Sequence, residues 1–409
     1  MRVCVMPSMF PMTSQTFVMQ HVTGLLDNNI DVHVLAHRGM DAAWESLGSY
    51  QEALKSRVWY YQAPSKKIGR FKGALSRTMH HLAQGNTSYL RSWNIFRFGK
   101  SSVNLNLPYI YNTALDIQPV DVLHCHFGHN GVFGAYLKKL GFAKKLVVTF
   151  HGHDVSAALQ ANTSKNIYGP VFEEADLILP VSEFWKDKLL DMGAPESRVF
   201  VHRVGIDVSR FSYRERVANS RPLKIITTAR LVEKKGLAYA IQAVAQVKKD
   251  HPEIKFHYDI IGEGPLSEEI KNLVTSLEIT DCIKLHGALP HGEVQKLLAD
   301  ADVFILPSVK AKNGDQEGIP VSLMEAMASG MPVLSTLHSG IPELVDNGVS
   351  GYLVPERNVT ELAEKIVYLA QRPESWSELG QAGRTKVEQD YNKDHQNTLL
   401  VDMYRKLIV

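Results

Sequence analysis

Residues 316–332 read QEGIPVSLMEAMASGMP, and this stretch decides the fold. Val321, Leu323, Met324, Ala326, Met327 and Ala328 fall at helical spacing. Pro320 suits the first turn of a helix, where its missing N–H would be unpaired anyway. Gly330 followed by Pro332 ends the helix, so one is expected over 320–329. In front of it lie an apolar strand, Val303–Leu306, and a polar loop. A strand, a loop and a helix whose free N–H groups face outward form a site that suits phosphate. Two carboxylates flank the turn. Glu317 stands on the loop, free to point at a ligand. Glu325 sits about one and a half turns into a helix of small and apolar residues, where an ionised carboxylate is costly unless hydrogen-bond donors meet it. The hydroxyls of a ribose would be such donors; an exposed helical Glu325 and a loop charge at Glu317 are the plainer alternative.

The neighbouring segments repeat the pattern. Residues 223–229 read as a strand that ends in Thr228-Ala-Arg230-Leu-Val-Glu-Lys-Lys235-Gly, with a helix expected over 237–247. Cations between a strand end and a helix start suit a diphosphate, whose charge grows as a bond to it breaks. Strands at 256–261 and 283–286 deliver GEGPL, with Gly262 and Gly264, and GALP. Asp300-Ala-Asp302 has the spacing of some metal sites, but it lies at the amino end of a strand, away from the ligand edge of a parallel sheet, and reads as structural.

The amino-terminal half carries a second set of strand ends. Strands at 2–6 and 31–36 enclose a helix at 17–26, the order of a doubly wound sheet. The first loop, PSMFPMTSQTF, lacks glycine. Its Ser14 and Thr16 are candidate acceptor or phosphate contacts, unless Ser14 merely caps the following helix. A strand at 121–125 delivers HCHFGHNG, with His124 and His126, and one at 146–150 delivers His151-Gly-His153-Asp154. Further strands are expected at 176–181 and 199–203, then a polar link, and helices at 359–369, 374–388 and 394–408.

Residues 65–100 hold Lys66, Lys67, Arg70, Lys72, Arg77, Arg91, Arg97 and Lys100 and no acidic residue, with Phe71, Leu75, Met79, Leu82, Leu90, Trp93, Ile95, Phe96 and Phe98 interleaved. Such a segment fits an anionic membrane surface, where each Lys or Arg contributes about 1 kcal/mol. Nucleic acid is the weaker reading, because the charge is confined to one segment and no recurrent nucleic-acid module is present. A solvated insertion with a buried apolar side is the plainer alternative.

With 409 residues the chain is long for one core. A hydrophobic share of 44% with 22% charged residues is that of a globular enzyme, and a net charge of +2 points to no particular partner. Cys4, Cys125 and Cys282 have no paired spacing and read as thiols in a reducing compartment. The start of the chain lacks a basic region followed by a long apolar one, and no run approaches the length of a membrane span, so the cytoplasm is the expected location.

Glu317 and Glu325, with GIP between them and EAMASGMPV following, resemble the signature of the retaining nucleotide-sugar glycosyltransferases of family 4, and the resemblance is specific over residues 223–352. It implies the GT-B architecture: two Rossmann-like, doubly wound α/β domains facing one another across a cleft. The expected limits are an acceptor-binding domain at 1–207, a linker at 208–222, a nucleotide-sugar domain at 223–385, and a helix at 386–409 crossing back to the first. By resemblance, Arg230 and Lys235 bind the diphosphate, Gly262 and Gly264 lie near the base, and Gly318, Ile319, Pro320 and Glu325 hold the donor. His126 and Glu317 sit beside the sugar, and the His151 to Asp154 segment lies near the acceptor. The first loop is similar to that of exopolysaccharide and lipopolysaccharide transferases. The resemblance implies sugar transfer from a UDP- or GDP-sugar to a saccharide or lipid-linked hydroxyl, with no metal or cofactor. No nucleic-acid partner is expected, and the basic segment 65–100 adds an expected contact with the inner face of the cell membrane. Three other readings remain: a metal-dependent hydrolase using His124, His126, His151 and His153; a non-catalytic nucleotide-sugar-binding subunit; and a nucleotide-sugar epimerase.

Overall fold

The computed structural model describes residues 1–156, 166–217 and 221–409. Two parallel six-stranded sheets organise it. The first contains β1 (Arg2–Met6), β2 (Asp31–Ala36), β3 (Val58–Tyr60), β4 (Val120–His126), β5 (Ala143–Phe150) and β6 (Leu177–Pro180), in the order β3-β2-β1-β4-β5-β6. The second contains β7 (Leu223–Thr228), β8 (Phe256–Ile261), β9 (Ile283–Gly287), β10 (Val303–Leu306), β11 (Val333–Thr336) and β12 (Tyr352–Val354), in the order β12-β11-β10-β7-β8-β9. Strands such as RVCVM and VFIL are apolar almost throughout because both faces of a parallel sheet are covered by helices. Each sheet reverses direction beside its first strand, which opens the crevice where such sheets bind ligands.

Nine helices bear on the site and its surroundings: α1 (Thr16–Asp27), α2 (Lys67–Ala83), α3 (Asn106–Ile117), α4 (Gly128–Lys139), α5 (Glu183–Asp191), α6 (Leu237–Asp250), α7 (Val321–Ala328), α8 (Trp376–Asp390) and α9 (Lys393–Ile408). The last of these returns to the first half. Leu400, Val401 and Tyr404 of α9 are buried in the same core as Val3, Val5, Val18 and Val22.

One expectation is corrected. Residues 199–203 are not a strand. Phe200 and His202 donate to the carbonyls of Ile178 and Pro180, but only Val199 forms a bridge, because the chain peels away toward the second half. The stretch expected as a linker begins packed, with Val208 and Phe211 in the core of the second half, while residues 218–220 lie outside those described. Strands β3, β11 and β12 carry no expectation of their own, since runs of three or four residues give too little alternation to read.

Candidate functional site

The carboxyl ends of β7 and β10 and the start of α7 meet at Glu317. Helix α7 begins at Val321 with Pro320 in the cap position, and Gly330 closes it with φ 77°, a left-handed turn that glycine adopts without strain. The N–H groups of Gly318 and Ile319, just ahead of the helix, donate to no acceptor among the described residues.

Glu317 is buried, not free on its loop. Its Oε1 lies 2.7 Å from Lys235 Nζ and accepts a hydrogen bond from Ser308 Oγ at 3.1 Å. Burial pushes its carboxyl up, but Lys235 and Lys234 outweigh this and hold it below the usual carboxylate range. The backbone N–H of Glu317 donates to His338 Nε2 (3.1 Å), and His338 Nδ1 sits 2.6 Å from Glu356 Oε1. The loop is thus fixed on three sides, and the carboxylate stays ionised beside a lysine.

Glu325 is different. It is half-buried on α7 and its carboxylate makes no hydrogen bond to a described residue. Burial raises its pKa to about 7, against a small opposing pull from Arg210. A carboxylate kept dry and unpartnered is set up to accept bonds from hydroxyls that arrive later.

Arg230 stands exposed just beyond β7, without a side-chain partner among the described residues. Lys235 closes the same loop, and Gly236 follows it at φ 66°, where an added Cβ would meet the Pro307 carbonyl oxygen at 1.8 Å. Gly262 and Gly264 are small for a related reason. A Cβ at either would run into the Ala229 or Leu231 carbonyl oxygen, at 1.9 and 2.4 Å, so these glycines let the β8 loop lie against the β7 loop. Asp300 and Asp302 pair with Lys224 and Arg221 at the far end of the sheet, as a structural role requires.

The first half closes over this turn. Trp185 Nε1 donates to the Glu317 carbonyl (2.9 Å), and Glu343 accepts the N–H groups of Glu183 and Phe184 at the start of α5, each at 3.0 Å. His153 Nδ1 lies 3.0 Å from Asp315, which also pairs with Lys234 at 3.1 Å; that hydrogen bond raises the His153 pKa. At Gly318 an added Cβ would stand 2.5 Å from the His151 carbonyl oxygen. The loops after β5 and β10 are therefore in direct contact.

His126 and His151 lie at the ends of adjacent strands, with His126 Nδ1 2.9 Å from His151 Nε2. His126 Nε2 is 2.8 Å from His21 Nδ1 on α1, a residue the sequence does not single out. His124 lies on the same face of the strand, its ring stacked on that of His126 at 4.9 Å, and reaches Thr149 Oγ1 (2.7 Å) and the Tyr404 hydroxyl. A cavity of about 40 Å³ adjoins these rings, between α1 and α9. Burial lowers the pKa of all four histidines, that of His151 to about 3, so the rings are neutral. His21, His124 and His126 are close enough to surround an ion, yet every one of their ring nitrogens is engaged by a ring or hydroxyl. His153 lies apart, on Asp315, so the four-histidine metal set is not assembled.

Asp154 does not reach outward. Its two oxygens accept the N–H groups of Gly128 (2.8 Å) and His151 (3.0 Å), which fixes the loop after β5 against the start of α4. Burial raises its pKa to about 6. Ser14 and Thr16 are exposed, and Ser14 does not cap α1, which starts without a side-chain cap. A wider cavity of about 560 Å³, which neither of them lines, is bounded by Ser8, His37, Arg38, Arg70, Tyr109 and His129.

The sequence profile described as "Glycosyltransferase Family 4" matches residues 14–210, and that described as "Glycosyl transferases group 1" matches residues 209–386. The chain is 38% identical over 405 residues to a putative colanic acid biosynthesis glycosyltransferase, WcaL, of Escherichia coli, covering 97% of this chain and 98% of that one. It is 36% identical over 401 residues to the amylovoran biosynthesis glycosyltransferase AmsK of Erwinia amylovora, with the same coverage. Among solved structures, Anabaena HepE in complex with UDP and glucose superposes with a TM-score of 0.74 at 16% identity, covering 99% of this chain and all of that one.

Proposed function

The chain belongs to the family 4 glycosyltransferases, and from that premise we propose that it moves a sugar, with retained anomeric configuration, from a nucleotide-diphosphate sugar to a saccharide or lipid-linked hydroxyl in surface polysaccharide synthesis. The observation that supports this is the pairing of Lys235 with ionised Glu317, followed directly along the chain by the unengaged N–H groups of Gly318 and Ile319 and by unpartnered Glu325 on α7.

In this reading Arg230, Lys235 and the two N–H groups neutralise the diphosphate as the bond to the sugar breaks. Glu325 accepts the ribose hydroxyls. Glu317 and His126 orient the sugar, and the departing diphosphate takes the acceptor proton on the same face. Enclosing both substrates between two halves converts an encounter into a positioned reaction, worth several kcal/mol. The acceptor enters from the side of Ser14, Thr16 and the 560 Å³ cavity, past His151. The chemistry asks for no metal and no cofactor, and the donor is a UDP- or GDP-sugar.

We further place the enzyme on the cytoplasmic side, in peripheral contact with an anionic membrane. No described helix is long and apolar enough to cross one. Helix α2 nevertheless leaves Ile68 74% exposed, with Phe71, Leu75, Met79 and Leu82 following on the same face, and nearby Phe96 is 97% exposed. Lys66, Lys67 and Lys72 stand exposed around them. Apolar anchors ringed by cations fit the interface of an anionic leaflet. Phe98 does not take part, being buried, and Arg70 and Arg77 turn inward, onto loop carbonyls and the Tyr109 ring.

A thermal-shift screen of UDP- and GDP-sugars tests the reading. A matching donor at a hundred times its dissociation constant adds about 2.7 kcal/mol of stability, and the anomeric configuration of the product then distinguishes retention from inversion. No stabilisation by any donor would contradict the assignment, and stabilisation with neither transfer nor donor hydrolysis would support a binding subunit instead.

A further inference from the structure

We propose that Tyr404, on the terminal helix, and His21 are positioning residues for His126, holding its ring and tautomer through one continuous hydrogen-bond chain. The inference rests on the reading that His126 lies beside the donor sugar. The chain runs from Thr149 Oγ1 to His124 Nε2 (2.7 Å), from His124 Nδ1 to the Tyr404 hydroxyl, and on to His21 Nε2 (3.1 Å). It continues from His21 Nδ1 to His126 Nε2 (2.8 Å) and from His126 Nδ1 to His151 Nε2 (2.9 Å).

A neutral imidazole has one N–H and one bare nitrogen, so it donates on one side and accepts on the other. The Tyr404 hydroxyl has one hydrogen and faces a ring nitrogen on each side, so it too donates once and accepts once. Each contact needs one hydrogen, and the groups supply one each. All the tautomers are consequently set in series: choosing the direction at one contact chooses it at every other. Removing the Tyr404 hydroxyl leaves His124 Nδ1 and His21 Nε2 facing each other's side of a gap, both buried, and releases His126 from the constraint.

The outer end of the chain is His151, whose carbonyl lies against Gly318 of the donor turn. The inner end is Thr149 on β5, and the middle link, Tyr404, comes from a helix that follows the donor half and packs on the acceptor half. Seating of α9 therefore sets the tautomer of a buried ring that, in the proposed function, lies beside the sugar, and a misplaced α9 is felt in turnover before it is felt in nucleotide affinity.

The test compares Tyr404→Phe and His21→Gln in the full chain, assayed with the UDP- or GDP-sugar that stabilises it in the donor screen. Both variants are expected to lower kcat by about 10- to 100-fold, by analogy with loss of the outer hydrogen-bond partners of metal-binding histidines, with KM for the donor unchanged. In chain labelled with ¹⁵N-histidine, Tyr404→Phe is expected to turn the single His126 tautomer into a mixture. Unchanged kcat and an unchanged ¹⁵N pattern would overturn the proposal. So would one equivalent of zinc retained by the wild type and lost in His21→Gln, since the ion would occupy the lone pairs that the chain uses. His126→Ala separates the two levels: full turnover there defeats the role given to His126 itself, whereas loss of turnover there with intact kcat in both other variants defeats only the positioning chain.

Discussion

In the proposed donor site, Glu325 and Lys235 carry opposite kinds of preparation for one ligand. Lys235 is already neutralised by Glu317, whereas Glu325 waits without a partner. Replacing Lys235 by Ala removes the cation at the leaving group and leaves buried Glu317 unpaired, and turnover is expected to fall by about 100-fold or more, by analogy with loss of an oxyanion donor; steady-state kinetics measures it. For Glu325 the sign follows from its raised pKa of about 7. The ligand-free chain holds the proton up to that pH, so its stability falls as pH rises from the ordinary carboxylate range toward 7. Ribose hydroxyls favour the ionised form, so nucleotide binding expels a proton below about pH 7, and affinity rises with pH until it levels off there. Calorimetry in buffers of different ionisation enthalpy reads that proton, and Glu325→Gln should abolish its release and weaken nucleotide binding by about 10- to 100-fold. The sequence makes both glutamates and both cations of this turn legible, because strand-end motifs are local. It does not reveal His21, His338, Ser308 or Tyr404, whose partners stand 105, 21, 9 and 280 positions away along the chain and leave no local pattern.

Helices are where local pattern and tertiary role diverge. Helix α7 is readable from Pro320 to Gly330 because its start and stop residues act within the chain's own turn. Helix α2 shows the reverse: its basic and apolar composition is evident, but which side chains face out is not; Arg70 and Arg77 turn in, as does Phe98 further along the basic segment. The exposed row from Ile68 to Leu82, together with Phe96, gives a direct expectation. The chain should pellet with phosphatidylglycerol-containing vesicles at low salt and be released at high salt, because the cationic contribution is screened over about 10 Å at 0.1 M. Phe71→Ser combined with Phe96→Ser should reduce pelleting with no change in nucleotide binding. Equal solubility with and without vesicles at every salt concentration would contradict membrane contact. Expected strand 199–203 fails for a complementary reason, since its apolar start is real and Phe200 and His202 still donate to β6, but only Val199 makes a bridge.

At the scale of the whole chain, two sheets of like topology are joined by contacts that converge on the donor turn from both sides. Trp185 meets the Glu317 carbonyl, Glu343 caps α5, and α9 carries Tyr404 back beneath His126. The doubly wound order of each half was readable from alternating strands and helices. Their mutual closure was not, because it depends on side chains far apart in sequence and on glycines, such as Gly318, whose absence of a Cβ matters only once the other half is in place. The central claim is that the carboxyl-terminal half binds an activated sugar by its diphosphate. A crystal structure of the chain with UDP or GDP tests this most directly. The two phosphates are expected within hydrogen-bond reach of Arg230, Lys235 and the N–H groups of Gly318 and Ile319, with the ribose on Glu325; phosphates bound elsewhere, with that turn unchanged, would contradict the account.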